Sequence, residues 1–324
     1  MKRTIIVFAM LFFTAATVFA DSAQVLAKDV LQATVAVDYR TAGSKFDADG
    51  GKADLYGGGV ESVSAMNLGA AFGFGLMDGV NIELEWIPGV NVWSKYNSTT
   101  TLFDLMYGKD PRRNGVFDLF LGAKLQLLGD HGIVGRNKTL RLAFTPGFII
   151  AVPGPDYETQ IDKALDGEPH TIEDVDRHAM GVVARLSFDY ILSPEFYINL
   201  FGEYAPLFET KKTGYSSPST ERTYAYGYSC ALELEPRYSK KIAGGKILNV
   251  SLPLTYTAAP EVVVDGSGQG DASCLLALAP RVGIVLNTSS SPVELELRYS
   301  TPLLGKNVEA TNSVSFLMKV RTRL

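Results

Sequence analysis

The stretch Asn67–Trp93, NLGAAFGFGLMDGVNIELEWIPGVNVW, decides the fold. Leu68, Ala70, Phe72, Phe74 and Leu76 alternate with Asn67, Gly69, Ala71, Gly73 and Gly75. Asp78-Gly79 follows, a dipeptide suited to a tight reversal because glycine takes a positive φ without steric cost. Beyond it Ile82, Leu84 and Trp86 alternate with Asn81, Glu83 and Glu85. Period-two alternation on both sides of an Asp-Gly predicts a β-hairpin. Each arm runs about ten residues, enough to cross a bilayer when tilted. One face is apolar and aromatic; the other carries Gly, Asn and Glu. Such a ribbon either packs its apolar face on a second sheet, or turns that face to hydrocarbon and encloses the polar one.

The chain begins MKRTIIVFAMLFFTAATVFA, with Lys2 and Arg3, an apolar Ile5–Phe13 and small residues before Ala20. This predicts a secretory signal peptide over residues 1–20 and a single mature domain over 21–324. No later apolar run reaches the eighteen or so residues of a spanning helix. Without Lys2 and Arg3 the chain has 28 basic and 35 acidic side chains, a net charge of −7. That acidity argues against nucleic acid as a partner. Cys230 and Cys274 are too few for a disulfide scaffold. With a whole strand between them they stand about 10 Å apart, too far to bridge, and are expected as free, outward-facing thiols.

Alternation recurs about twelve times from residue 31 onward. The expected strands are Ala33–Arg40, the two arms of the opening hairpin, Phe117–Leu127, Leu140–Val152, Met180–Tyr190, Phe196–Phe208, Tyr226–Tyr238, Ile247–Tyr256, Cys274–Leu286, Val293–Thr301 and Val314–Arg323. Links after strands two, six and ten are short, and those after four and eight middling. Those after one, three, five, seven and nine are mostly longer. An even strand count with short turns on one side and long loops on the other predicts an all-β, antiparallel up-and-down transmembrane barrel, both termini periplasmic.

The upward strands also repeat a proline, at Pro88, Pro146, Pro206, Pro253 and Pro302, spaced 58, 60, 47 and 49 residues apart. Downward strands eight and ten share Leu-x-Pro-Arg, at Leu234–Arg237 and Leu278–Arg281. Proline removes a ladder hydrogen bond, so these positions predict bulges or ladder ends near the outer rim; the alternative is a ring of weakened pairing, a flare or lateral gap.

In this architecture the chain resembles Gram-negative-type outer-membrane β-barrels of the porin or channel class. The resemblance implies a cell-outer-membrane location, outer-membrane lipids and the barrel-assembly machinery as partners, and no cofactor. Such barrels usually end in an aromatic residue, whereas this chain ends VRTRL. Outer-membrane phospholipases use a His-x-Ser pair, which His131, His170 and His178 do not supply. Asp176 and His178 superficially match the acid and His of outer-membrane proteases, but such neighbours are commonplace in loops. There is no phosphate-binding glycine loop and no zinc spacing. The expectation is a non-enzyme with no catalytic, cofactor or metal site; weak Ca²⁺ binding at the acidic loop or at Asp265–Asp271 is a lesser alternative.

The inward face carries the functional expectation. Alternation assigns Glu83, Glu85, Asp118, Lys124, Arg141, Arg185, Asp189, Glu203, Glu233, Glu235, Arg237, Arg281, Glu294, Glu296, Arg298, Lys319 and Arg321 to the lumen, nine acids and eight bases. Glu294 and Glu296 are expected beside Lys319, Arg321 and Arg281, and Glu83 and Glu85 beside Lys124. Facing opposite charges contribute about 0.2–1 kcal/mol each, while a charge facing mid-bilayer lipid would cost about 2–4 kcal/mol. The lattice either lines a hydrated pore or fills a narrow barrel, since twelve strands fall between filled and open sizes.

The loop 153–177 carries Asp156, Glu158, Asp162, Asp166, Glu168, Glu173, Asp174 and Asp176 against Lys163 and Arg177, a net −6. It is expected as a solvated surface loop, or else as one folded over the mouth and favouring cations. Tyr190 and Phe196 are assigned to an inner aromatic belt, and Trp93, Tyr204, Tyr226 and Tyr256 to an outer one. The reading is a small channel for passive diffusion of small polar solutes with a mild cation preference. Its rivals are a non-conducting structural or adhesion barrel with ligand-binding loops, and a selective channel for apolar molecules. The solute, the oligomeric state and the openness of the lumen stay open at this level.

Overall fold

The computed structural model describes residues 22–100, 107–108, 110–175, 177–287 and 291–324. The expected signal peptide and Asp176 lie outside these residues. Twelve strands build the barrel wall. The first seven are β1 Val30–Phe46, β2 Val60–Met77, β3 Val80–Ser98, β4 Leu119–Gly129, β5 Leu140–Ile150, β6 Gly181–Ile191 and β7 Phe196–Pro206. The last five are β8 Tyr228–Lys241, β9 in two pieces (Ile247–Ser251 and Leu254–Ala259), β10 in two pieces (Ser273–Leu278 and Arg281–Asn287), β11 Pro292–Lys306 and β12 Val308–Arg323. Each pairs antiparallel with its chain neighbours, and β12 pairs with β1 from Val30–Arg323 upward, closing the cylinder. The all-β up-and-down barrel expected from the alternation is what forms.

The barrel is inside-out relative to a water-soluble sheet. On β1, Val35, Val37 and Tyr39 are 42%, 38% and 43% exposed, while the intervening Ala36, Asp38 and Arg40 are buried. On β2 and β3, Leu68, Phe72, Leu76 and Ile82 point outward and Asn67 and Asn81 inward. The outward apolar rows continue around the wall through Phe144, Leu186, Leu200, Leu232, Leu254, Val282, Leu297 and Phe316. Hydrocarbon solvates that surface, and every strand finds its backbone partners within the closed wall. Among the described residues no helix is long and apolar enough to cross a membrane. Cys230 and Cys274 are both free, each paired to Ala258 on β9, so one strand separates them.

The start of β1 and the end of β12 lie at the end where Gly79, at φ 81°, tightens the β2–β3 turn. Several strands run beyond their expected limits at the opposite end, β1 to Phe46, β3 to Ser98 and β11 to Lys306. There the residues mix polar and apolar on both faces, so alternation fades while backbone pairing continues.

Prolines mark where the ladder breaks. The β4–β5 ladder is interrupted, without a change of register, between Gly122–Gly147 and Leu125–Phe144, beside Pro146, and shifts register only at Gln126–Leu128. Pro236, Pro253 and Pro280 fall in line on three neighbouring strands: Leu252 N–H donates to Pro236 O, Ala279 N–H to Pro253 O, and Tyr299 N–H to Pro280 O. They crease the wall and split β9 and β10. At Pro302 the consequence is larger. Backbone pairing of β11 with β12 ends at Ser300–Ser313. Above it β11 pairs with β10 up to Cys274–Lys306, and β12 pairs with β1 up to Phe46–Val308. The two strands part and rejoin only at Asn307, leaving an eye-shaped seam. Leu303 and Leu304 line its outer side, and Phe46, Leu275, Val308 and Ala310 pack together on its inner side.

Candidate functional site

The lumen holds two groups of charges. In the first, Arg281 on β10 donates to Glu233 at 2.6 Å and to Glu235 at 3.4 Å, both on β8. Arg237 donates to Glu294 at 3.1 Å, and Lys319 and Arg321 approach Glu294 at 4.0 Å. Arg298 lies in the same layer, opposite Arg281 in register. In the second group, Arg185 on β6 bridges Glu203 on β7 at 2.7 Å and Glu85 on β3 at 2.8 Å. Its guanidinium carbon sits 3.6 Å from the Phe120 ring centroid. Lys124 lies 4.0 Å from Glu83, and Arg141 joins Asp130 at 2.9 Å and Asp189 at 3.9 Å. Contacts spanning non-adjacent strands require these side chains to point into the barrel. Lys124, Asp189, Glu233, Glu235 and Arg298 are between 0 and 3% exposed, so the middle of the lumen is filled.

Residues 22–29 complete that filling. This segment precedes β1 and lies inside the barrel at the tight-turn end. Ser22 Oγ donates to Asp189 at 2.8 Å, and the Ala23 amide donates to the same carboxylate at 3.3 Å. Lys124 Nζ donates to Ser22 O at 2.5 Å and Gln126 to Ala23 O at 2.8 Å. The Leu26 amide donates to Asn81 Oδ1 at 3.1 Å. β2 is cut away to receive it: a Cβ at Gly75 would stand 2.0 Å from Ala27 O, and one at Gly73 3.3 Å from Leu26 Cδ1.

The long loops cover the other end. Pro111–Arg113 pairs in parallel with His170–Glu173, making a short ribbon from two different loops. Arg113 grips Glu309 on β12 through both terminal nitrogens, at 3.2 and 3.1 Å, and Glu173 at 3.1 and 3.2 Å. The Tyr96 hydroxyl donates to Glu173 at 2.9 Å. Beneath the ribbon, Leu55, Val60, Val63, Tyr96 and Ile172 form an apolar cluster. Helix α1, Tyr157–Leu165, flanks it, capped by Asp156, whose side chain accepts from the Glu158 amide. The Thr159 hydroxyl, donating to Asp156, holds that carboxyl below its usual range. Burial pushes the hydroxyls of Tyr107, Tyr157 and Tyr215 up from theirs. A second sheet, Thr210–Gly214, Ser217–Ala225, Val263–Val264 and Ser267–Gly268, stands outside the barrel.

Several expectations take a different form. The acidic loop is not simply solvated: Tyr157, His170, Thr171, Ile172 and Val175 are buried, Glu173 is held by Arg113, and Asp174 pairs with His178. Glu158, Asp162, Asp166 and Glu168 remain on its outer surface without ion pairs among the described residues. Arg281 keeps the inward phase of β10 through Pro280 and reaches across β9 to Glu233 and Glu235 on β8. Of its expected neighbours on β11, Glu296 stays within electrostatic reach and Glu294 pairs with Arg237. Asp118 accepts from the Val152 amide at 2.9 Å, tying two strand ends. Tyr226 is buried against Ala179, Val262 and Val264 and is no belt residue; Tyr228, 5.4 Å from Tyr204, takes the outward position. Asp265 and Asp271 accept from the Thr223 and Val262 amides, so their carboxylates serve as loop fasteners. Asp38 and Arg40 add a pair that the inward assignment from sequence does not include. They pair with each other inside the barrel, where Ser315 Oγ also donates to Asp38 at 2.6 Å. The inward phase of β1, one residue after Val37 and Tyr39, would have found them.

Against known proteins, no family description and no curated sequence matches this chain. Among solved structures, the COG4313 outer membrane channel of Pseudomonas putida F1 aligns over 94% of this chain and 99% of its own, at 16% identity and a TM-score of 0.65. The Bordetella autotransporter BrkA β domain aligns over 92% and 100%, at 12% identity and a TM-score of 0.42. The P. putida toluene transporter TodX aligns over 92% and 91%, at 10% identity and 0.39. At such identities the likeness is one of fold. The chain is an outer-membrane β-barrel. Its apolar exterior and closed ladder give the physical reason.

Proposed function

We propose that this barrel is a stoppered channel for small polar solutes, in which residues 22–29 close the inner end and withdraw to allow passage. The observation that carries this reading is how the segment is held. Five hydrogen bonds tie it to Asn81, Lys124, Gln126 and Asp189, all side-chain groups that point into the lumen. Groups of that kind can re-solvate when the segment leaves, which offsets the exposure of Ala23 and Val25, the apolar side chains it buries. The charged lumen would then admit hydrated solutes, and the outer acids Glu158, Asp162, Asp166 and Glu168 would favour cations. The P. putida neighbour is itself described as an outer membrane channel. Planar-bilayer recordings test the proposal. A variant lacking residues 22–27 should conduct several-fold more than the full chain and prefer cations. Equal, negligible conductance from both would sink it.

The seam favours a second reading. Its outer Leu303 and Leu304 and inner Phe46, Leu275, Val308 and Ala310 form an apolar path through the wall rather than along the axis. A channel for apolar solutes would use that path and be indifferent to the stopper. Binding of an apolar fluorophore that survives deletion of residues 22–27 but fails with Leu275→Asp would favour this second reading.

A further inference from the structure

We propose that Arg113 is a latch that couples the cover over the outer mouth to the seam in the barrel wall, so that the two open together. The inference rests on the channel reading for its purpose and on the geometry for its substance. Arg113 belongs to the cover, where its amide donates to Ser94 Oγ at 2.8 Å and its strand runs beside His170–Glu173. Its guanidinium faces two carboxylates from different parts of the molecule. Glu173 lies on the other half of the cover; Glu309 lies on β12, within the stretch that has parted from β11. Arg113 and Glu309 are 6% and 9% exposed.

The placement of Glu309 gives the latch its reach. Residues 308–312 have backbone partners on β1 alone, through Lys45–Glu309 and Thr41–Asn312. On the seam side they lack a strand neighbour until Ser313, so side chains must hold this edge in place. The Arg113–Glu309 pair is bidentate, a geometry that fixes orientation as well as distance. Removing the guanidinium strands two carboxylates at once, Glu173 under the cover and Glu309 at the seam, and like charges drive the two surfaces apart. The cover and the wall therefore share one fastening.

Hydrogen exchange on the folded protein in detergent micelles, read peptide by peptide, tests the coupling. Arg113→Gln should speed exchange in 170–175 and in 303–312 together. Glu309→Gln should speed exchange in 303–312 and leave 170–173 protected, because Arg113 still holds Glu173 and Ser94. Seam exchange unchanged in either variant would overturn the latch. Retained heat-modifiable migration on gels confirms that each barrel is folded; if Arg113→Gln fails to fold, Glu309→Gln alone decides. Conductance is recorded in parallel on the background lacking residues 22–27, where Arg113→Gln should raise it further. Coupled exchange without conductance in any variant would leave the latch standing and reject the channel.

Discussion

Arg281 shows how much one lumen residue holds. Its guanidinium serves Glu233 and Glu235 within a layer that water barely reaches. Removing one partner from a buried ionic group strands the others and typically costs about 3–5 kcal/mol. Arg281→Gln should therefore lower the urea-unfolding stability of the micelle-bound barrel by about that amount. Adding Glu233→Gln should recover part of the loss, because the stranded charge is then gone. The residue types and phase of this layer were legible in the sequence: charges at every second position, opposite to apolar rows. The partners were not. Arg281 keeps its inward phase yet reaches across β9 to β8, and alternation tells which face a side chain takes, not which strand it reaches. Asp38 and Arg40 follow the same alternation on β1, which makes them recoverable; Arg113, in a loop, had no such signal.

Among the elements, the outer loops depart furthest from the sequence reading, since a loop has no repeating pattern to betray where it folds back. The 170–173 strand pairs with 111–113 in parallel, a contact between two loops separated by two transmembrane strands. The outer sheet offers a test through Asp271. Its Oδ1 accepts from the Val262 amide, its Oδ2 is buried without a hydrogen-bond partner among the described residues, and burial raises its carboxyl above the usual range. A raised acid favours the fold in its protonated form. Its stabilising effect is therefore complete at acid pH and is lost as pH rises through the folded-state value. Asp271→Asn should match the wild type at the acid end and protect the 262–264 amides better near neutrality. Side-by-side exchange at matched pH measures the difference; equal protection across the range would contradict it.

At the scale of the whole molecule, the stripe around Asp78-Gly79 left two solutions open, and its recurrence about twelve times with short and long links in alternation was what pointed to a closed barrel, lipid outside and polar groups inside. The segment that enters the lumen was not legible. Residues 22–29 have no transmembrane pattern and declare their place only through Gly73 and Gly75, which read equally well as space in a pore. Charge on the outer loops acts over roughly a Debye length, about 10 Å at 0.1 M salt. The cation preference of the barrel lacking residues 22–27 should accordingly shrink as salt is raised toward 1 M. Reversal potentials across a salt gradient give the number, and a preference independent of ionic strength would place the selectivity within the barrel instead.

The proline crease across β8, β9 and β10 bears on how the wall is put together. Two adjacent strands interrupted at one height, beside a proline on a third, behave as two short panels joined by a fold line, and short panels can tilt independently while the cylinder is still open. A nascent sheet with such a line can curl inward early, before β12 meets β1. The leading residues, already lying against the curled sheet, would then be enclosed by the final join and would need no threading afterwards.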